Sequence, residues 1–118
     1  MKNSYDDIPA YTTRDGSLIR ELMHPQSHGN LNQSLAEAIV SVGMETLLHR
    51  HLTSEELYHV TQGKGEMSLG DSVFSVAEGD TVCIFPGNPH KIRNTGHVDL
   101  RILCASSPPY SHEDTELL

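Results

Sequence analysis

Turn residues cut this chain into short pieces, and that spacing constrains its fold more than any other feature. β-Rich runs cover about 17–23, 34–42, 45–51, 56–62, 64–69, 72–76, 81–85, 90–94 and 99–105. Between them stand Gly43, Gly63, Gly70-Asp71, Gly79-Asp80, Pro86-Gly87 and Thr95-Gly96. Many short strands with regular punctuation specify a sandwich or a barrel. No stretch carries the periodicity of an amphipathic helix. Gly70-Asp71, between Glu-Met-Ser-Leu and Ser-Val-Phe-Ser-Val, is a two-residue hairpin signal that calls for positive φ. A chain of 118 residues has room for one core and not for two. Residues 17–106 are therefore assigned to one all-β domain, with 1–16 as an N-terminal arm and 107–118 as a C-terminal tail.

Within this frame the chemistry concentrates in Gly43-Met-Glu-Thr-Leu-Leu-His49-Arg-His51-Leu-Thr-Ser-Glu-Glu56-Leu-Tyr-His-Val-Thr-Gln-Gly63. Residues i and i+2 of a strand project from one face. His49 and His51 therefore point together, and Glu56 opens the next extended run beside them. A third imidazole, His90, opens a strand after the Pro86-Gly87 turn. Imidazoles with one carboxylate form the donor set of a first-row transition-metal site. The rival carboxylate is Glu55. Parity puts Glu56, Tyr58 and Val60 on one face and Leu57, His59 and Thr61 on the other, which leaves Glu55 at the rim. His24, His28, His59, His97 and His112 are read as surface residues or satisfied core groups.

The first segment resembles the cupin signature G-x5-H-x-H-x3-4-E-x6-G, with Gly43, His49, His51, Glu56 and Gly63 in register. The second resembles its partner, G-x5-P-x-G-x2-H-x3-N, at Gly79, Gly87, His90 and Asn94. One position departs: Phe85 stands where that signature has proline, and Pro86 follows it. The resemblance implies a double-stranded β-helix, the jelly-roll barrel. It also implies that His49, His51, Glu56 and His90 hold one divalent ion (Mn, Fe, Co, Ni or Zn) inside the barrel. One or two coordination positions would be left for water or substrate. A cupin that kept these residues but lost its metal is the alternative.

Strand parity extends the site. It places Glu45 and Leu47 on the face of His49 and His51, Tyr58 beside Glu56, and Ile92 and Asn94 beside His90. Glu45 and Tyr58 are thus the candidate general acid–base groups. Asn94 is expected to fix a turn, and Gln33 is a possible pocket amide. Arg50, Lys91 and Arg93 alternate with the ligands and face away, which leaves Arg14, Arg20 and Arg101 as candidate inward cations. A phosphorylated or carboxylate substrate would need one of them.

Small cupins also resemble the metal-binding cupin domain of mannose-6-phosphate isomerases, where a Glu-Asp pair follows the last strand as Glu113-Asp114 does here. That likeness puts sugar or carbonyl isomerase/epimerase chemistry first. A dioxygenase acting on a small chelating substrate comes second, and a non-catalytic ligand- or metal-binding module third. In each case the partner is a small polar molecule in the barrel.

Eight basic residues against sixteen acidic ones give a net charge of -8, the wrong sign for a nucleic-acid partner. No apolar run approaches the roughly 20 residues that cross a bilayer. The N-terminus lacks the apolar stretch of a secretory signal, so the cytoplasm is the expected compartment. Cys83 and Cys104 lie in strand-like runs without a CxxC, and two buried reduced thiols are expected. Open sheet edges favour a homodimer in which the arm or first strand takes part. The tail is expected to be solvated. In the alternative, Pro108-Pro109 turns it back so that Tyr110 and His112 cover one end of the barrel.

Overall fold

The computed structural model describes residues 1–118 as two antiparallel sheets facing each other. The strands are β1 (Tyr11–Thr12), β2 (Leu18–Met23), β3 (Ser34–Val40), β4 (His49–His51), β5 (Glu55–Gln62), β6 (Lys64–Leu69), β7 (Ser72–Ala77), β8 (Thr81–Ile84), β9 (His90–Asn94), β10 (Leu100–Ser107) and β11 (Thr115–Leu117). One sheet has the order β1-β2-β3-β10-β5-β8 and the other β11-β4-β9-β6-β7. Strands distant in sequence are neighbours in both sheets, which is the jelly-roll pattern.

Register builds the interior in layers. Ile102 of β10 sits opposite Val60 and Ala38, Cys104 opposite Tyr58 and Ala36, and Ser106 opposite Glu56 and Ser34. Each step of two residues along β10 keeps the inward face and moves one layer. One end of the barrel is therefore aliphatic, where Val60, Met67, Ile84, Ile92, Leu100 and Ile102 are fully buried. The other end is polar. There Ser34, Ala36 and Ala38 line the interior with small side chains, and a cavity stays open.

Two turns carry the connections. Leu69 pairs with Ser72 across Gly70-Asp71, and Gly70 takes φ +57 while no non-glycine residue has positive φ. That is the sign pattern of a type II′ hairpin. At Phe85–Asn88 the Asn88 amide donates to Phe85 O (3.2 Å), with Pro86 at the second position and Gly87 at φ +81. This is the residue order of a type II turn. Phe85 points to solvent, so its replacement of the signature proline leaves the turn intact.

The structure departs from the sequence expectations at both ends and in one strand. Tyr11–Thr12 and Thr115–Leu117 are strands at sheet edges. Pro25–His28 forms one helical turn, in which the His24 ring accepts from the Gln26 amide and Gly29 closes the end. The run 45–51 keeps strand geometry only at 49–51. Cys83 is exposed rather than buried: it sits opposite Leu57 on the outer face, whereas buried Cys104 sits opposite Tyr58 on the inner one. Strand β5 lies between them, and both thiols are free.

Candidate metal centre

The site lies at the polar end, where the two sheets meet. Strand β4 presents His49 and His51 on its inner face, and His90, the first residue of β9, pairs directly opposite His49. Glu56 reaches in from β5 of the other sheet. All four side chains are buried, and the ligand atoms of the three histidines lie within 4.8 Å of one another. The Glu56 Oε1 atom is 3.2 Å from His51 Nε2 and 3.5 Å from His90 Nε2. Glu55 is exposed, as parity requires.

Hydrogen bonds on the far side of each ring decide which nitrogen faces inward. His49 Nδ1 donates to Leu47 O (2.7 Å) and His90 Nδ1 to Asn88 O (3.0 Å). A carbonyl can only accept, so both rings carry their proton on Nδ1. His51 Nδ1 meets Thr115 Oγ1 at 3.0 Å, and that hydroxyl already donates to Ser111 O at 2.9 Å. Thr115 must therefore accept from His51. The Nε2 atoms of all three rings are left facing inward, those of His51 and His90 toward the Glu56 carboxylate and that of His49 toward Asp15 Oδ2.

That arrangement could hold a cation. Glu56 Oε1 and His90 Nε2 are buried without any hydrogen-bond partner, a costly state for polar atoms. Burial alone would raise Glu56, yet His51 and His90, when they carry a second proton, outweigh it and bring its carboxyl down to about 2. Burial would likewise lower His51, but Glu56 holds it above its ordinary range. His49, by contrast, is lowered by burial and by His90. Imidazole nitrogens with outer partners fixing their tautomers, joined by one ionised carboxylate, fit a divalent transition metal.

A cavity opens beside the cluster, walled by Tyr11, Asp15, Glu21, Tyr58 and Tyr110. Three of these were not visible as site residues. Asp15 arrives on the tip of the β1–β2 hairpin, where its backbone oxygen accepts from the Leu47 amide (2.8 Å). Its Oδ1 is held by the Ser17 amide and hydroxyl (2.9 and 2.6 Å), while Oδ2 stands 3.7 Å from His49 Nε2. Tyr11 donates to Glu21 Oε1 at 2.9 Å, and Glu21 Oε2 is buried without a partner. The only sequence signal was the Asp-Gly-Ser turn after Tyr-Thr-Thr, and it reads as an ordinary loop. Tyr110 packs its ring edge against His51 at 5.7 Å, with its carbonyl 2.7 Å from His24 Nε2.

Other assignments change. Glu45 does not face the ligands: it is exposed and pairs with Lys91 at 3.7 Å. Thr46 and His49 are both buried with two exposed residues between them, so the chain is not a regular strand there and the two-residue alternation fails. Leu47 is exposed for the same reason. Tyr58 does line the cavity, and burial together with Glu56 raises its pKa well above the ordinary value. Asn94 is spent on backbone, donating to Val40 O and Val98 O and accepting from the Gly96 amide. Gln33 is exposed. None of the three arginines faces inward. Arg14 binds His112 O and Thr115 O, Arg20 binds Ile8 O and stacks on Tyr5, and Arg101 pairs with Glu37.

The Cupin domain family model matches residues 36–106, which contain all four clustered side chains. The chain belongs to the cupin family. This cupin is 58% identical over 118 residues to an uncharacterized protein of Methanocaldococcus jannaschii, covering 100% of this chain and 94% of the relative. It is 32% identical to protein SchB of Streptomyces halstedii, with 96% and 85% covered. Among solved structures it is similar to the polyketide cyclase RemF from Streptomyces resistomycificus at 26% identity and TM-score 0.78, over 97% of this cupin and 89% of that chain. Asp15, Tyr110 and Thr115 lie outside the matched segment, so the family match does not reach half of the cavity wall.

Proposed function

We propose that this cupin holds one divalent transition metal on His49, His51, His90 and Glu56 and acts on a small neutral carbonyl compound by non-redox, isomerase-type chemistry. The observation that carries this reading is the charge of the cavity. Asp15, Glu21 and Glu56 face it, and no lysine or arginine does. With a divalent ion added, the formal sum of the ion and the three carboxylates is -1. At an effective dielectric of 20, a substrate phosphate or carboxylate 5–6 Å from one of those groups meets about 3 kcal/mol of repulsion. A sugar phosphate, whose phosphate would sit away from the ion, is disfavoured on that ground. A neutral compound bearing hydroxyls finds acceptors in Asp15 Oδ2 and Glu21 Oε2.

When bound, the metal would polarise a carbonyl or acidify a water. The protein groups supply the proton handling. Asp15 keeps one carboxylate oxygen free at the cavity and serves as the base. Tyr58 stays protonated through burial beside Glu56 and serves as donor to a developing oxyanion. The likeness to a polyketide cyclase supports the same class, because ring closure and isomerisation of a carbonyl compound can both begin with loss of a proton next to the carbonyl.

The test has two parts. Elemental analysis of protein purified without added metal is expected to give about one transition ion per chain. Proton NMR in deuterated water, with a panel of enolisable neutral ketones and hydroxyketones, is expected to show metal-dependent exchange at the carbon next to the carbonyl. Asp15→Asn should slow that exchange about 100-fold or more. Faster turnover of phosphorylated counterparts, or substrate-dependent oxygen uptake, would overturn the reading.

A further inference from the structure

We infer that Thr115 is a positioning residue for the metal centre, and that docking of the C-terminal strand and occupancy of the site are thermodynamically linked. This rests on the metal reading above. The strand β11 pairs with β4 so that Thr115 lies opposite His51, Glu116 opposite Arg50 and Leu117 opposite His49. Thr115 is buried, and its hydroxyl accepts from His51 Nδ1 while donating to Ser111 O. His49 and His90 have their Nδ1 protons fixed by carbonyls two residues before them in their own segments. His51 alone depends on a group 64 residues away, carried by the end of the chain.

Everything around that contact fastens the tail to the ligand-bearing strand. Asp114 accepts from the Thr53 and Ser54 amides and from the Thr53 hydroxyl. Its carbonyl takes the Leu52 amide at 2.9 Å, and the Leu118 amide donates to Leu48 O at 3.0 Å. Arg50 and Glu116 pair at 2.8 Å. Undocking the tail would free the His51 ring to rotate or exchange tautomer, so that its Nε2 lone pair no longer points at Glu56. Coupling of this kind is reciprocal: whatever factor docking adds to metal affinity, the metal adds to docking.

Cobalt(II) binding, followed by its visible absorption, tests this on wild type, Thr115→Val and Thr115→Ser. Thr115→Val is expected to bind about 10–100-fold more weakly, the usual loss for an outer partner of a ligating histidine, and Thr115→Ser to restore binding. A general loss of structure would not be rescued by serine. Nitrogen-15 spectra of the metal-free proteins should show the His51 ring fixed with its proton on Nδ1 in wild type and Thr115→Ser, and a mixture of tautomers in Thr115→Val. Cobalt should slow hydrogen exchange at the Leu52 and Leu118 amides in wild type, and do so less in Thr115→Val. Wild-type binding matched by Thr115→Val, with the same tautomer and the same slowing, overturns the role of Thr115 alone. A wild type that takes up no cobalt overturns the metal reading, and the linkage with it.

Discussion

Buried, unpartnered atoms are what make Glu56 and His90 informative at the scale of single residues. A carboxylate oxygen aimed at two buried imidazole nitrogens is stabilised by positive charge between them, whether a metal ion or a proton. Removing the carboxylate charge by Glu56→Gln is expected to weaken metal binding by more than about 100-fold, beyond the loss typical of an outer partner. Glu45→Gln is the matched control. Its carboxylate is exposed and pairs only with Lys91, so metal affinity should not change and stability should stay within about 0.5 kcal/mol. Isothermal titration with zinc and urea denaturation read both. The four clustered side chains were legible in the sequence because their spacing follows strand parity and the motifs. Glu45 was misread because the chain leaves strand geometry at 46–48, and no parity rule survives an irregular residue. Asp15 was invisible for a different reason: a hairpin tip carries it across the barrel, and sequence holds no trace of that contact.

At the scale of elements, the turns hold the barrel in register. Gly63 links β5 to β6 at φ +85, and a Cβ there would meet Asp99 O at 3.0 Å. Gly63→Ala is therefore expected to cost about 1–2 kcal/mol from left-handed backbone strain alone, measured as a lower urea midpoint at unchanged m-value. The tail gives a pH prediction. Burial would raise Asp114, but bonds from Thr53 and Ser54 outweigh it and hold its carboxyl below the ordinary range. A group lowered on folding adds stability above its unfolded pKa of about 3.9 and loses it as pH falls through the folded value. Wild type should thus lose part of its denaturant stability between about pH 5 and 2. Asp114→Asn should be weaker near neutrality and show a shallower acid slope. An unchanged slope would separate Asp114 from tail docking. The strands were legible where alternation was regular, as in β5, β9 and β10. The edge strands β1 and β11 were not, since two or three residues carry too little pattern to stand out from loop.

The whole molecule is a barrel graded from aliphatic to polar along its axis, and the gradient is written in β10 as Leu100, Ile102, Cys104 and Ser106. Fold class was legible because that alternation is regular in the two longest strands, β5 and β10. Cavity shape was not, because it depends on which strands pair and on both chain ends closing over one mouth. Pairing with a second copy is expected through the open edge at β1 and the arm before it, and sedimentation equilibrium should return a dimer mass. A monomer at micromolar concentration would refute that expectation.

X-ray absorption at the edge of the metal that co-purifies with the protein goes most directly to the centre itself. It should report one site with three imidazole nitrogens and at least one oxygen at about 2.0–2.2 Å, with the imidazole signal reduced in His90→Ala. A sulfur neighbour, a shell of water oxygens alone, or the same spectrum from His90→Ala would contradict a metal held by His49, His51, His90 and Glu56.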